Sequence, residues 1–387
     1  MGMDSLDGGR FRMAGFATWS AVAQGPKRST AQQNTQRKVE KRKMTWDLGK
    51  GDEASQKAEK KLEKRGERVQ TSATRGWRRH PGLKVKPVPG LNGVYLHYHT
   101  ARGSGNTSSA PPVLFIPHGP HAPWMFEEKL LPYFARRGFS AYTFDRHGAE
   151  YGQEQRSFNL NELCEEVEEV AKSLPRPPVI VGHSTGGFIA QALIQRQKID
   201  PPAMVLLCPV PPSGSISLMM RHFLRSPWEG FRRLQAVLVG TAYDSATAMR
   251  EAFFTEKLTE RRLKSFLRRA RKRAAILGKS AHVSYTLKPL KICDEIVKEF
   301  EGKVMVLGAD KDYWIDNEAL LETTRKWMPD KVHPMVIPDS AHGFVLDEDW
   351  RRVSDAVVEW LQRVVAATEI MDLISEHTKP SISEFEL

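Results

Sequence analysis

The sequence predicts an α/β protein: a mostly parallel, doubly wound sheet with an inserted helical cap, preceded by a basic, largely disordered extension. Three observations lead there. Apolar, β-branched runs alternate with helix-period segments through 113–209 and again through 303–365. Strands separated by helices require right-handed crossovers, hence a parallel sheet covered on both faces. Between these blocks, residues 212–300 read as helical and are rich in Met, Phe, Leu and Arg, so they interrupt the alternation as a cap. The charge is also uneven. Of the net +12, the first 80 residues hold 19 Lys/Arg against 9 Asp/Glu, whereas the remaining 307 hold 39 against 37. The basicity belongs to the extension, and no nucleic-acid partner is expected of the body.

Within the extension, residues 8–39 contain no acid, and Arg10, Arg12, Lys27, Arg28, Arg37 and Lys38 are interspersed with Ser, Thr, Ala and Gln. Such leaders suit an organellar transit peptide within 1–45, chloroplast before mitochondrion, with a cytoplasmic protein as the alternative. The early acids Asp4 and Asp7 run against it. Residues 53–70 have high helix propensity but almost no apolar stripe, which predicts a solvated helix or linker. No aromatic residue is present there to stack on bases.

The predicted core comprises 81–211 and 301–370, followed by a tail over 371–387. Gly93-Val-Tyr-Leu-His-Tyr-His99 alternates like an edge strand. Strands then follow over 113–117, 139–145, 178–183 and 203–209, with helices over 126–137, 160–173 and 186–198. The pattern resumes with strands over 303–309 and 333–337 and helices over 317–328 and 347–365. Pro334 points to a short strand at the sheet edge. No apolar run approaches the roughly 20 residues needed to span a bilayer. Cys164, Cys208 and Cys293 are odd in number and far apart, a pattern of free thiols and not of a disulfide framework or zinc site.

Chemistry enters at 178–187, Pro-Val-Ile-Val-Gly-His-Ser-Thr-Gly-Gly. A buried strand that ends in Gly182-x-Ser184-x-Gly186 and passes at once into a helix holds the Ser184 hydroxyl on a tight turn. A serine nucleophile needs a base to take its proton, and the base needs a carboxylate to hold its tautomer. On a parallel sheet all three sit at strand C-termini. His342 qualifies as base, since Asp339-Ser-Ala-His342-Gly-Phe follows the strand-like Met335-Val336-Ile337. His183, next to the nucleophile, must point away from it and reads as structural. For the acid, Gly308-Ala-Asp310-Lys-Asp312 follows the strand Val304-Met-Val-Leu307. Both aspartates can reach a histidine from this loop. Asp312 is favoured over Asp310, because one carboxylate must face the site while the other stays solvated.

The order Ser184, Asp312, His342, with His118-Gly119 early and Asp145-Arg146-His147-Gly148 between, resembles the α/β-hydrolase superfamily over about 90–366. Capped esterases, lysophospholipases and monoacylglycerol lipases are the most similar members. The resemblance implies Ser184 as nucleophile, His342 as general base and acid, and Asp312 as orienting acid. The family's Gly-x-x-x-Asp form, an aliphatic residue three positions on, is matched by Gly308…Asp312-Tyr-Trp-Ile315. An acyl transition state also needs two donors aimed at the oxyanion. The Thr185 N–H at the head of its helix is the first. The family's second position is Pro120 here, which has no N–H; the N–H of Gly119 or His121, or the His121 side chain, is the candidate in its place. Such chemistry requires no metal and no organic cofactor. Acyl transfer to an alcohol uses the same triad, and a non-catalytic binding protein on the same fold is the alternative that Pro120 supports.

In the cap, residues 254–279 carry ten Lys/Arg and two Glu. Leu263, Phe266, Leu267, Ala270, Ala274 and Leu277 recur at helical spacing. One face is therefore apolar and the other cationic, which fits either a solvated helix or a lid that meets an anionic membrane. Met219, Met220, Phe223, Leu224, Trp228 and Phe231 are candidate linings for an acyl tunnel. A small ester or lipid-like acyl ester is the expected substrate; the sequence does not specify an oligomeric state.

Overall fold

The computed structural model describes residues 81–101, 110–117, 123–145, 159–277, 286, 288–301, 303–330 and 333–377. The extension over 1–80, with its transit-peptide and helix expectations, and the positions 118–121 and 146–148 lie outside the described residues.

Eight strands form one sheet in the order β1-β2-β4-β3-β5-β6-β7-β8. They are β1 Lys84–Pro87, β2 Tyr95–His99, β3 Val113–Ile116, β4 Ala141–Asp145, β5 Val179–His183, β6 Met204–Leu207, β7 Val304–Ala309 and β8 Met335–Ile337. The pairs β1/β2 and β2/β4 are antiparallel, and every other neighbouring pair is parallel. β1 is absent from the sequence reading. Its Lys-Val-Lys-Pro composition is that of an edge strand, where charges and a proline keep other chains from pairing, and this composition hides it from a search for apolar alternation. β8 does lie at the opposite edge.

Side chains alternate across the central strands and define two cores. Val113, Phe115, Val179, Val181, Val205, Leu207, Met305 and Leu307 face one layer. Leu114, Ile116, Ile180, Met204, Leu206, Val304 and Val306 face the other. The second layer is built by α3 Leu160–Lys172, α4 Thr185–Arg196 and α10 Asn317–Trp327. The capping box of Asn159 and Glu162 opens α3, and the Asp316 side chain accepts from the Ala319 N–H at 2.8 Å to open α10. The first layer holds α1 Trp124–Glu127, α2 Leu130–Arg136 and α11 Trp350–His377. α11 runs 12 residues past the expected end at 365, because no Gly or Pro stops it before Pro380.

The described residues of 212–300 are mainly helical, as expected. It contains α5 Gly214–Arg225, α6 Pro227–Leu238, a 3₁₀ turn Thr241–Tyr243, α7 Ala246–Phe253, α8 Glu260–Leu277 and α9 Asp294–Glu299. α5 turns Leu218 and His222 inward, and this orients the tunnel candidates the other way. Leu224 is 80 % exposed and Trp228 70 %, and Met220 and Phe231 also face solvent. These four residues therefore do not line a tunnel; they form an outward apolar stripe together with Ile216. α8 behaves differently. Its Leu263, Phe266, Leu267 and Ala270 are buried, with Phe266 stacked on Trp124 at 5.6 Å. Part of its basic face is spent internally: Arg262 pairs with Glu128 at 2.8 Å, and Arg271 donates to the carbonyls of Tyr243 and Asp244. No helix among the described residues is long and apolar enough to cross a membrane.

Candidate active site

The end of β5 is where the local sequence dictates geometry most tightly. Ser184 has φ 55° and ψ −121°, a conformation that L side chains rarely adopt. All its backbone groups are used: the N–H donates to Leu207 O at 2.9 Å, and the carbonyl accepts from Gly187, Phe188 and Val210. The flanking glycines are required by contact. A Cβ on Gly182 would stand 2.4 Å from the Gly186 carbonyl oxygen, and one on Gly186 would stand 2.5 Å from that of Ile116. The spacing of the motif is thus a packing requirement between β5, α4 and β3.

Thr185 opens α4, so its N–H has no intrahelical acceptor. Its Oγ1 is buried and meets no partner among the described residues. Gly119, Pro120 and His121, the other oxyanion positions, lie outside the described residues.

The structure brings His342 and Asp312 together. The imidazole Nδ1 donates to the Asp312 carboxylate, at 3.0 Å to Oδ1 and 2.8 Å to Oδ2. Both side chains are almost wholly buried, at 1 % and 2 % exposure. Asp312 Oδ1 also accepts from the N–H groups of Trp314 and Ile315 at 2.8 and 2.9 Å. With Nδ1 protonated, Nε2 is the basic nitrogen of His342. Asp310 is placed elsewhere: it is exposed, and its Oδ1 accepts from the Ser340 N–H at 3.0 Å, which ties the β7 loop to the β8 loop.

Three supports of His342 have no signature in the sequence. His183 donates from Nε2 to the His342 carbonyl at 2.8 Å, and the two rings lie 4.9 Å apart; the residue expected to be structural holds the base's own backbone. Gly343 donates to Phe253 O at the end of α7 at 2.6 Å, and Phe253 packs its ring on His342 at 6.1 Å, so the cap grips the histidine loop. Lys129 donates to the carbonyls of Leu346 and Asp347 at 3.0 and 2.9 Å. Burial, and secondarily the charge of Arg262, pushes the Lys129 pKa down to about 8.

Cys208 completes the cluster. It follows β6 with φ 42°, and its sulfur lies within 4.8 Å of ligand atoms of Asp312 and His342. A thiol, a carboxylate and an imidazole this close form a candidate metal set. Burial, followed by the charge of Asp312, pushes the Cys208 thiol well above its ordinary range.

Comparison with known proteins bears on the fold. The chain is similar in structure to a candidate lipase from Acinetobacter baumannii AYE, with 16 % identity, a TM-score of 0.57, and 79 % of this chain and 97 % of that one covered. It is similar to a bromoperoxidase from Bacillus anthracis at 14 % identity and TM-score 0.52, covering 72 % and 99 %. It is also similar to a membrane phospholipase A described as a bacterial virulence factor, at 16 % identity and TM-score 0.51, covering 79 % and 91 %. No curated protein sequence matches it. These likenesses show a shared fold. Residues 113–356 match the model of the alpha/beta hydrolase family, a span that holds the elbow, the Asp312 loop and the His342 loop, and the chain therefore belongs to the α/β-hydrolase family.

Proposed function

We propose that the protein is a serine hydrolase that cleaves a carboxylic ester through an acyl-enzyme. The observation that carries this reading is a buried Asp312–His342 pair at the mouth of the sheet that holds Ser184 on its strained turn. In the proposed reaction His342 Nε2 removes the Ser184 proton as Oγ attacks the ester carbonyl. Asp312 steadies the imidazolium that forms, and the Thr185 N–H, at the positive end of α4, meets the oxyanion. His342 returns the proton to the leaving alcohol; it then takes one from the water that attacks the acyl carbonyl and gives it to Ser184 Oγ as the acyl–Oγ bond breaks and the acid leaves. A fluorophosphonate probe tests this on the whole protein: the label is expected on the peptide carrying Ser184. No label there, or equal labelling after heat denaturation, overturns the reading.

We further infer a lipid-like ester as the substrate and a lipid surface as its source. Support comes from the stripe of Ile216, Met220, Leu224, Trp228 and Phe231 on α5 and α6. Exposed apolar residues on neighbouring helices suit a lipid interface. Replacing Leu224 and Trp228 together by Glu should lower co-sedimentation with phosphatidylglycerol-containing vesicles by roughly tenfold or more. Hydrolysis of a soluble short-chain ester should stay unchanged; equal sedimentation of both proteins would refute the membrane assignment.

A further inference from the structure

Among the described residues of α5 and α6, one arginine is placed unlike its neighbours. On α5 and α6, Arg221 pairs with Asp316 at 3.2 Å, Arg225 with Asp316 and Glu318 at 2.7 Å each, and Arg232 with Glu229 and Glu251 at 3.1 and 2.8 Å. Arg233 differs from these neighbours. Its guanidinium carbon stands 3.9 Å from the ring centre of Tyr313, and its Nε and Nη1 are buried without a hydrogen-bond partner among the described residues. Burial pushes its pKa down, and the carboxylates of Glu229, Asp312 and Asp316 are near enough to act against that. Each of these three is already engaged, with Arg232, His342 and the Arg221–Arg225 pair respectively.

A guanidinium cannot shed its proton to escape burial, and an aromatic face satisfies none of its N–H donors. Its neighbourhood repeats the pattern. Tyr313 directly follows Asp312, and the next residue, Trp314, buries its indole N–H without an acceptor among the described residues. Trp314 packs on Phe253 at 5.7 Å, and Phe253 in turn packs on His342. Unsatisfied donors have thus collected beside the residues that hold the base. Donors without acceptors call for a ligand rich in oxygen, and a fixed positive charge calls for a negative one.

We propose that Arg233 is a substrate-recognition residue that binds an anionic group, a carboxylate or a phosphate, carried by the ester that Ser184 cleaves. This deepens the serine-hydrolase reading and rests on it. A soluble ester with a charged acyl end and a lysophospholipid-like ester with a charged alcohol end present the same chemistry to Arg233.

Two matched pairs of substrates distinguish these sources. 4-Nitrophenyl hydrogen glutarate against 4-nitrophenyl hexanoate places the charge on the acyl side. 1-Acylglycerol 3-phosphate against the monoacylglycerol of the same chain places it on the alcohol side. In at least one pair, Arg233→Gln is expected to lower kcat/KM for the charged member by about 10- to 100-fold. The neutral member should stay within about twofold, and Arg233→Lys should retain part of the preference because it keeps the charge but not the fork. Equal losses for charged and neutral members would mean that Arg233 only props Tyr313, and would overturn the proposal. Calorimetric titration of glutarate and of glycerol 3-phosphate, neither of them an ester, separates this from failure of the hydrolase reading. Binding of one of them to the wild type and its loss in Arg233→Gln supports the anion site even without turnover. Binding of neither, or binding that survives the substitution, refutes it.

Discussion

Ser184→Ala is expected to lower kcat toward 4-nitrophenyl esters by about 10⁶-fold, since removal of the nucleophile leaves only binding and oxyanion stabilisation. The fold should not notice. The strained backbone at Ser184 is held by its N–H to Leu207 and by three bonds to its carbonyl, none of which uses the hydroxyl. Alanine keeps the Cβ, so the positive φ costs it what it costs serine. The urea midpoint should therefore shift by less than about 0.5 kcal/mol equivalent. Turnover in the variant above about 1 % of wild type would remove Ser184 from the nucleophile role, because the expected loss is four orders of magnitude larger. Loss of turnover together with an altered midpoint would point to a structural role. Stability and rate measured on one preparation thus separate the two explanations.

How much of this was legible in the residues follows physical lines. The sheet was, because buried parallel strands must be apolar on both faces and helices between them must cross over. The elbow was, because Gly182 and Gly186 stand where a Cβ would meet backbone 2.4 and 2.5 Å away, a steric demand that leaves a mark in the sequence. β1 was not, because an edge strand of Lys-Val-Lys-Pro is chosen against pairing and carries no alternation. The cap was legible as helix but not as orientation: Met220 and Leu224 recur at helical spacing, and periodicity does not say whether a stripe meets the protein or the solvent. The supports of His342 were the least legible. His183, Gly343 and Lys129 reach it from β5, from its own loop and from the segment between α1 and α2, and only the closed fold brings them together. Arg233 shows the same limit. In sequence it is one of two adjacent arginines, and only the partners of the others single it out.

The choice between the two aspartates of the β7 loop gives the second large effect. Asp312→Asn is expected to reduce kcat by about 10⁴-fold with little change in KM. The reason lies in the donor count around that side chain. His342 Nδ1 and the N–H groups of Trp314 and Ile315 all point protons at it. A carboxylate accepts all of them. An amide brings protons of its own, so its NH₂ must face either a loop N–H or the imidazole. The imidazole is the group free to respond, and it does so by placing its proton on Nε2, where a base must have none. Asp310→Asn is the control. Asp310 sits on the surface and accepts one bond, from the Ser340 N–H, which the amide oxygen can accept equally well, so activity should stay within about twofold. Both substitutions remove one negative charge from positions two residues apart, so their shared effect on the net field cancels in the comparison. A loss in Asp310→Asn as large as that in Asp312→Asn would mean that the charge of the loop matters and the contact with His342 does not. A loss confined to Asp312→Asn assigns the effect to the proton on Nδ1.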